Sequence, residues 1–208
     1  MDMTLSPSFR KLVLTLHVIS TMVWLGSAAA YIPVAIYVLT NQDTEMIRSA
    51  IQIMSLVVNF VVVPVAFASL LTGVALSLGT RWGLFRQYWI LIKLLLTAFA
   101  VSMLVAYSIE LGHAASIAAQ TTWSSTDVEI LKAPIHITHP SGSVCIVLVA
   151  TILSVYKPKG MTKFGWRKQM ESNNKTDSTP FSRPRWLKRV GVAAIGAFLL
   201  FVTIMIVI

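Results

Sequence analysis

The chain has 208 residues, of which 56% are hydrophobic and only 12% charged, against about 25% charged in a soluble globular domain. So few charges exclude a water-soluble fold for most of its length. The net charge of +9 does not indicate nucleic-acid binding either, because ten of the 17 basic residues lie in one segment, Lys157 to Arg189, and basic charge beside apolar stretches of membrane length marks a cytoplasmic loop.

Five stretches reach the roughly 20 apolar residues that a membrane-spanning helix needs. The first, Leu12–Leu39, follows Arg10 and Lys11 and carries His17, Thr21, Trp24, Ala28 and Tyr31 at heptad spacing, a pattern that predicts the bundle-facing side. His17 stands roughly 9 Å beyond Lys11 at 1.5 Å per residue. A basic start, an apolar run and Ala28-Ala29-Ala30 would also suit a cleavable signal peptide, but the apolar run continues through Tyr31–Leu39, so a retained helix is expected. The second stretch, Ile51–Leu78, contains Pro64 as the first contains Pro33, and both predict a kink or tilt. Arg48, Gln52, Ser55 and Asn59 form a polar stripe along its start; facing lipid would be costly, so the stripe is expected to face a wet cavity.

The third stretch, Tyr88–Leu111, holds Lys93 roughly 10 Å beyond Arg86 and ends near Glu110 and His113, three residues apart and therefore on neighbouring faces. The fourth, Ala133–Tyr156, opens with His136 and His139, followed by Pro140, which is expected to distort the local backbone. Counting back from Lys157, His139 is the deepest outer histidine, roughly 27 Å from the inner boundary. Cys145 lies in the same run. As the single cysteine it allows no intramolecular disulfide, and it reads as a small buried hydrophobe. Next comes the basic loop. Its start, KPKGMTKFGWRKQ, suits the membrane interface, while ESNNKTDSTPFSRP reads as a linker. Val190–Ile208 is the fifth apolar stretch.

The expected architecture is an all-α integral membrane protein: a four-helix transmembrane bundle over 1–156, a basic cytoplasmic loop over 157–189 and an appended fifth transmembrane helix over 190–208. Basic residues alternate from loop to loop, which sets the amino terminus inside and the carboxyl terminus outside.

Ionisable groups inside a span are functional-site candidates. His17 and Lys93 share a depth, and an imidazole and a neutral amine are both competent axial ligands for haem iron. The plainer readings are an interhelical hydrogen bond for His17 and snorkelling for Lys93. On the outer side three readings stand together. A second haem b bound by two of His113, His136 and His139 would have Arg48 near its propionates. A copper or zinc ion would take those histidines together with Glu110. A hydrogen-bond network would simply fasten helices. No phosphate-cradling loop, H-E-x-x-H or C-x-x-C motif occurs.

The segment LHVISTMVWLGSAAAYIPV resembles the first helix of copper-resistance protein D-like and HemJ-type membrane proteins. LLTGVALSLGTRWGLFRQYWILIKLLL, with its W-x-x-x-K pattern, looks like the second-to-third helix region of the same group. HPSGSVCIVLVATILSVYKPKGMTKFGWRKQ is similar to a family of predicted integral membrane proteins. HemJ-type proteins are haem-containing protoporphyrinogen oxidases with a helix-one histidine and a helix-three lysine at the haem. The matching positions here are His17 and Lys93, while the outer histidines, the longer basic loop and the fifth helix depart from that pattern.

The leading expectation is a haem b-binding redox protein of a bacterial cytoplasmic membrane, with one or two haems, exchanging electrons with quinone or a porphyrin-like substrate. An inner site at His17 and Lys93 and an outer one at His139 with His113 or His136 would stand roughly 17 Å apart along the membrane normal. The alternatives are metal or small-solute transport through an outer His/Glu cavity, and a non-catalytic accessory membrane subunit.

Overall fold

The computed structural model describes residues 6–79, 84–173, 184 and 186; the expected fifth helix and most of the linker before it lie outside the described residues. Helix α1 (Pro7–Thr40) starts where the Ser6 hydroxyl accepts the Phe9 amide and Pro7 takes a first-turn position that needs no amide hydrogen bond. It runs through Pro33 and stops at Asn41, whose backbone is extended. Helix α2 (Thr44–Val57) begins on the Asp43 carboxylate, which accepts the Glu45 and Met46 amides. A π-helical turn, Val58–Val62, leads directly into α3 (Val63–Leu78). Pro64 explains that turn: it has no amide to donate and its ring crowds the carbonyl four residues back, so the helix widens locally instead of breaking. Helix α4 covers Tyr88–Ala118, the short α5 covers Ser125–Leu131 with a Ser124–Asp127 capping box, α6 covers Ile135–Tyr156 and α7 covers Lys163–Asn173.

Among the described residues, four helical stretches are long and apolar enough to cross a membrane: Pro7–Thr40, Thr44–Leu78, Tyr88–Ala118 and Ser125–Tyr156. The helices overrun the apolar runs that signal them, because capped polar turns continue beyond the hydrocarbon-length core. α1 packs on α3 and α6, and α4 packs on the same two, so α1 and α4 stand diagonally across the bundle. The expected α1 stripe is the one that turns inward: Trp24, Ala28 and Tyr31 are buried, with His17 and Thr21 half-buried beside them. Large apolar side chains cover the outside, among them Phe60, Leu71, Leu95, Ile109 and Val155. Such an exterior would be insoluble in water and is matched to lipid.

Two expectations are corrected by the packing. The stripe on α2 does not converge on a cavity: Gln52 and Asn59 are exposed, and the Asn59 amide turns back to the carbonyl and hydroxyl of Ser55. That local bond reduces the cost of the amide's position without a partner helix. Cys145 is exposed rather than buried, on the outward face of α6. Pro140 also leaves α6 in one piece and is itself buried.

Candidate functional site

The end of the bundle at which α1 begins, α3 ends, α4 begins and α6 ends carries Arg10, Lys11, Arg86 and Lys157; it is called the basic end below. About two helical turns inward, a cavity of about 50 Å³ lies among α1, α3, α4 and α6, and both His17 and Lys93 line it, with Thr21, Trp24, Thr97 and Ser154. The matched depths read from the sequence therefore meet in one place, with His17 and Lys93 on diagonal helices.

Hydrogen bonds define what each group offers. His17 Nδ1 stands 3.0 Å from the Ser69 carbonyl and 3.1 Å from the Thr72 hydroxyl. A carbonyl only accepts, so Nδ1 carries the proton and Nε2 carries the lone pair. Ligating histidines have this arrangement, in which the second nitrogen donates to a carbonyl that orients the ring. Gly73 makes the approach possible: a Cβ there would stand 3.1 Å from His17 Cε1. Lys93 Nζ donates to Ser154 Oγ and lies 5.6 Å from the centre of the Trp89 ring.

Four of the five cavity hydroxyls behave alike, while the fifth, that of Ser69, meets the Thr21 hydroxyl at 2.9 Å. Thr21 donates to the His17 carbonyl, Thr97 to that of Lys93, Thr151 to that of Val147 and Ser154 to that of Ala150. Each sends its proton to its own helix four residues back and turns oxygen lone pairs toward its neighbours. Trp24, buried to 1% exposure, differs: among the described residues its Nε1 has no hydrogen-bond acceptor. The cavity is thus lined by acceptors, one ammonium and one unmatched indole N–H.

In chemistry this donor set fits a haem iron, through the free Nε2 of His17 and the amine across from it. The space does not fit the macrocycle as it stands. A water needs about 10–15 Å³ of such volume, so 50 Å³ holds a few waters, and a porphyrin would enter only with the four helices moved apart.

The opposite half holds a second cluster, centred on a residue that sequence reasoning missed. Tyr107 on α4 is buried, and its hydroxyl lies 3.0 Å from His136 Nδ1 and 3.5 Å from the Tyr31 hydroxyl. The His139 ring stacks on Tyr107 with centroids 4.2 Å apart and planes 11° from parallel. His136 is 2% exposed, and its Nε2 has no partner at hydrogen-bond geometry, although the Ile130 carbonyl interacts with the ring. The adjoining cavity, about 20 Å³ beside Tyr31, Tyr107, His139 and Pro140, has room for about one water. The available signal was Tyr107's position fourteen residues beyond Lys93, close to four helical turns on the same face.

The remaining outer candidates do not join this cluster. His113 and Glu110 are exposed on α4. Arg48 donates to the Gln120 carbonyl at 2.8 Å, lies 3.7 Å from Glu45 and sits over the Trp123 ring. It ties α2 to the α4–α5 connection. Among the described residues, no three His, Cys, Asp or Glu side chains gather to hold a metal ion. The expected metal set of His139, His113, His136 and Glu110 is therefore not assembled, because helical spacing sends its members to different faces.

The fold and its outward apolar surface define a helical integral membrane protein with a polar cavity in its basic half. The chain belongs to the family described as "Predicted integral membrane protein (DUF2269)", which matches residues 11–158 and so covers the four spans. No curated protein and no solved structure matches the chain.

Proposed function

We propose that this is a haem b-binding redox protein of the bacterial cytoplasmic membrane, with its basic end in the cytoplasm and a single haem at the His17–Lys93 cavity. The observation that carries the reading is the fixed tautomer of His17, whose Nδ1–H is held by the Ser69 carbonyl so that Nε2 is left as a ligand. Two further features support it. Lys93 stands on the diagonal helix and lines the same cavity, and the first three spans resemble copper-resistance protein D-like and HemJ-type proteins. The basic residues at one end of the spans support the orientation.

Bound there, the haem iron would supply one-electron chemistry, and the chain would set its conditions. Ser69 and Thr72 hold the imidazole in orientation and keep its proton on Nδ1. Lys93, whose Nζ donates to Ser154 Oγ, would be the second residue to hold the iron, as the neutral amine. Ile146, Val147 and Ala150 line the same cavity and limit water. A lipid-soluble partner, quinone or a porphyrin-like substrate, would exchange electrons from the bilayer.

The test is an oxidised and dithionite-reduced absorption spectrum of detergent-purified protein with a pyridine haemochrome count. One b-type haem per chain, lost in His17→Ala, is the expected result; a colourless protein from haem-replete cells overturns the reading.

A second reading, passage of a small cation, is favoured by a specific observation: four cavity hydroxyls give their protons to their own helices, and those of Thr97 and Thr151 keep their oxygen lone pairs on offer. In that case the wild-type protein is colourless and moves cations in liposomes, and Lys93→Met changes that movement.

A further inference from the structure

The segment after α6 is built onto the bundle, and its construction points to a ligand. Lys157 turns the chain with a left-handed backbone, φ 41°. The chain then pairs antiparallel with the start of α4 through Met161 and Gln87. The Tyr88 amide donates to the Gly160 carbonyl at 3.3 Å and the Thr162 amide to the Arg86 carbonyl at 3.0 Å. The Thr162 hydroxyl donates to the Phe85 carbonyl and accepts the Gly165 amide, so one buried side chain both anchors the segment and caps α7. Gly165 lies flat on the loop before α4: a Cβ there would stand 2.4 Å from the Arg86 carbonyl oxygen, a distance that no other residue could keep.

This docking fixes which side of α7 faces outward. Lys163, Phe164, Arg167 and Lys168 are exposed, and so are Lys157 and Lys159 on the approach. No carboxylate among the described residues pairs with any of these cations. Exposed aromatic side chains stand among them, Phe164 at 54%, Phe85 at 56% and Tyr156 at 78%. Cations interleaved with exposed aromatic rings, held at the ends of apolar spans, match a membrane interface, where rings enter the acyl boundary and ammonium and guanidinium groups meet phosphates.

We propose that residues 157–170 form a docked platform that binds the headgroups of anionic phospholipids, and that its geometry, beyond its charge, gives the preference. Its ligand is the phosphodiester of an acidic lipid such as phosphatidylglycerol. The platform is separate from the cavity and does not depend on what the cavity holds.

The experiment uses the full chain in mixed micelles of phosphatidylglycerol and phosphatidylcholine, with bound lipid counted by native mass spectrometry. Wild type is expected to retain phosphatidylglycerol selectively. At about 1 kcal/mol per surface cation, each charge removed lowers affinity about 5-fold, so the triple variant Lys163→Gln, Arg167→Gln, Lys168→Gln falls on the order of 100-fold. Gly165→Ala and, separately, Thr162→Val lose selectivity with every charge retained, while circular dichroism shows the bundle still helical. Selectivity unchanged in both of these variants overturns the platform in favour of diffuse charge attraction. Equal retention of phosphatidylcholine, or displacement by free inorganic phosphate, overturns the lipid assignment.

Discussion

The two halves of the bundle each bury a histidine, and they treat it in opposite ways. In the basic half, His17 is half-buried, gives its Nδ1 proton to a backbone carbonyl and lines a cavity, with hydrogen bonds among the described residues made only through Nδ1. In the other half, His136 is enclosed, bonded to Tyr107 and packed where about 20 Å³ remains. The surroundings differ to match. Hydroxyls and Lys93 line the first site, whereas Val58, Val62 and Leu104 beside the second belong to the continuous apolar core. His136 also has a ring nitrogen without a hydrogen-bond partner among the described residues, so what separates the two is space: His17 borders a polar cavity with room for a ligand. A histidine locked into an aromatic cluster mainly holds helices together.

Substitutions test that contrast. The largest effect should be on cofactor binding: His17→Ala lowers haem retention by more than about 100-fold, since loss of outer partners alone costs 10–100-fold, while His136→Ala leaves the spectrum unchanged. An unchanged spectrum in His17→Ala with a lost one in His136→Ala would invert the two roles. Stability should show the reverse order. His136→Ala removes a fully buried side chain and leaves the Tyr107 hydroxyl with only its 3.5 Å bond to Tyr31, costing about 2–4 kcal/mol, whereas His17→Ala costs about 1 kcal/mol or less; thermal unfolding in detergent measures both. Tyr107→Phe keeps the packing and removes the hydroxyl, for about 1–2 kcal/mol. Thr72→Val removes one of the two acceptors for the His17 Nδ1 proton and should weaken haem binding about 10-fold with little effect on unfolding. Smallest of all, His113→Ala and Glu110→Gln stay within about 0.5 kcal/mol and leave the spectrum alone; a larger shift in either would show that the exposed end of α4 takes part in a site.

Composition and spacing alone determined much of this molecule. Apolar runs of spanning length, separated by charged or capped turns, can bury their backbone polar groups only as helices in lipid. The stripe from His17 to Tyr31 named the inward face of α1 because heptad spacing keeps one face aligned, and rise per residue placed His17 and Lys93 at one level. Tertiary structure decided what depth arithmetic does not contain, namely rotation about each helix axis. It turned Tyr107 inward between His136 and His139, left His113, Glu110 and the α2 stripe on the outside, and assigned Arg48 to a loop carbonyl. It also showed that Gly165 and Thr162 dock α7 onto the start of α4. The physical reason is that apolar residues surround the whole circumference of these helices, so hydropathy cannot separate lipid-facing from bundle-facing sides. Only the fit of one helix against the next selects the face.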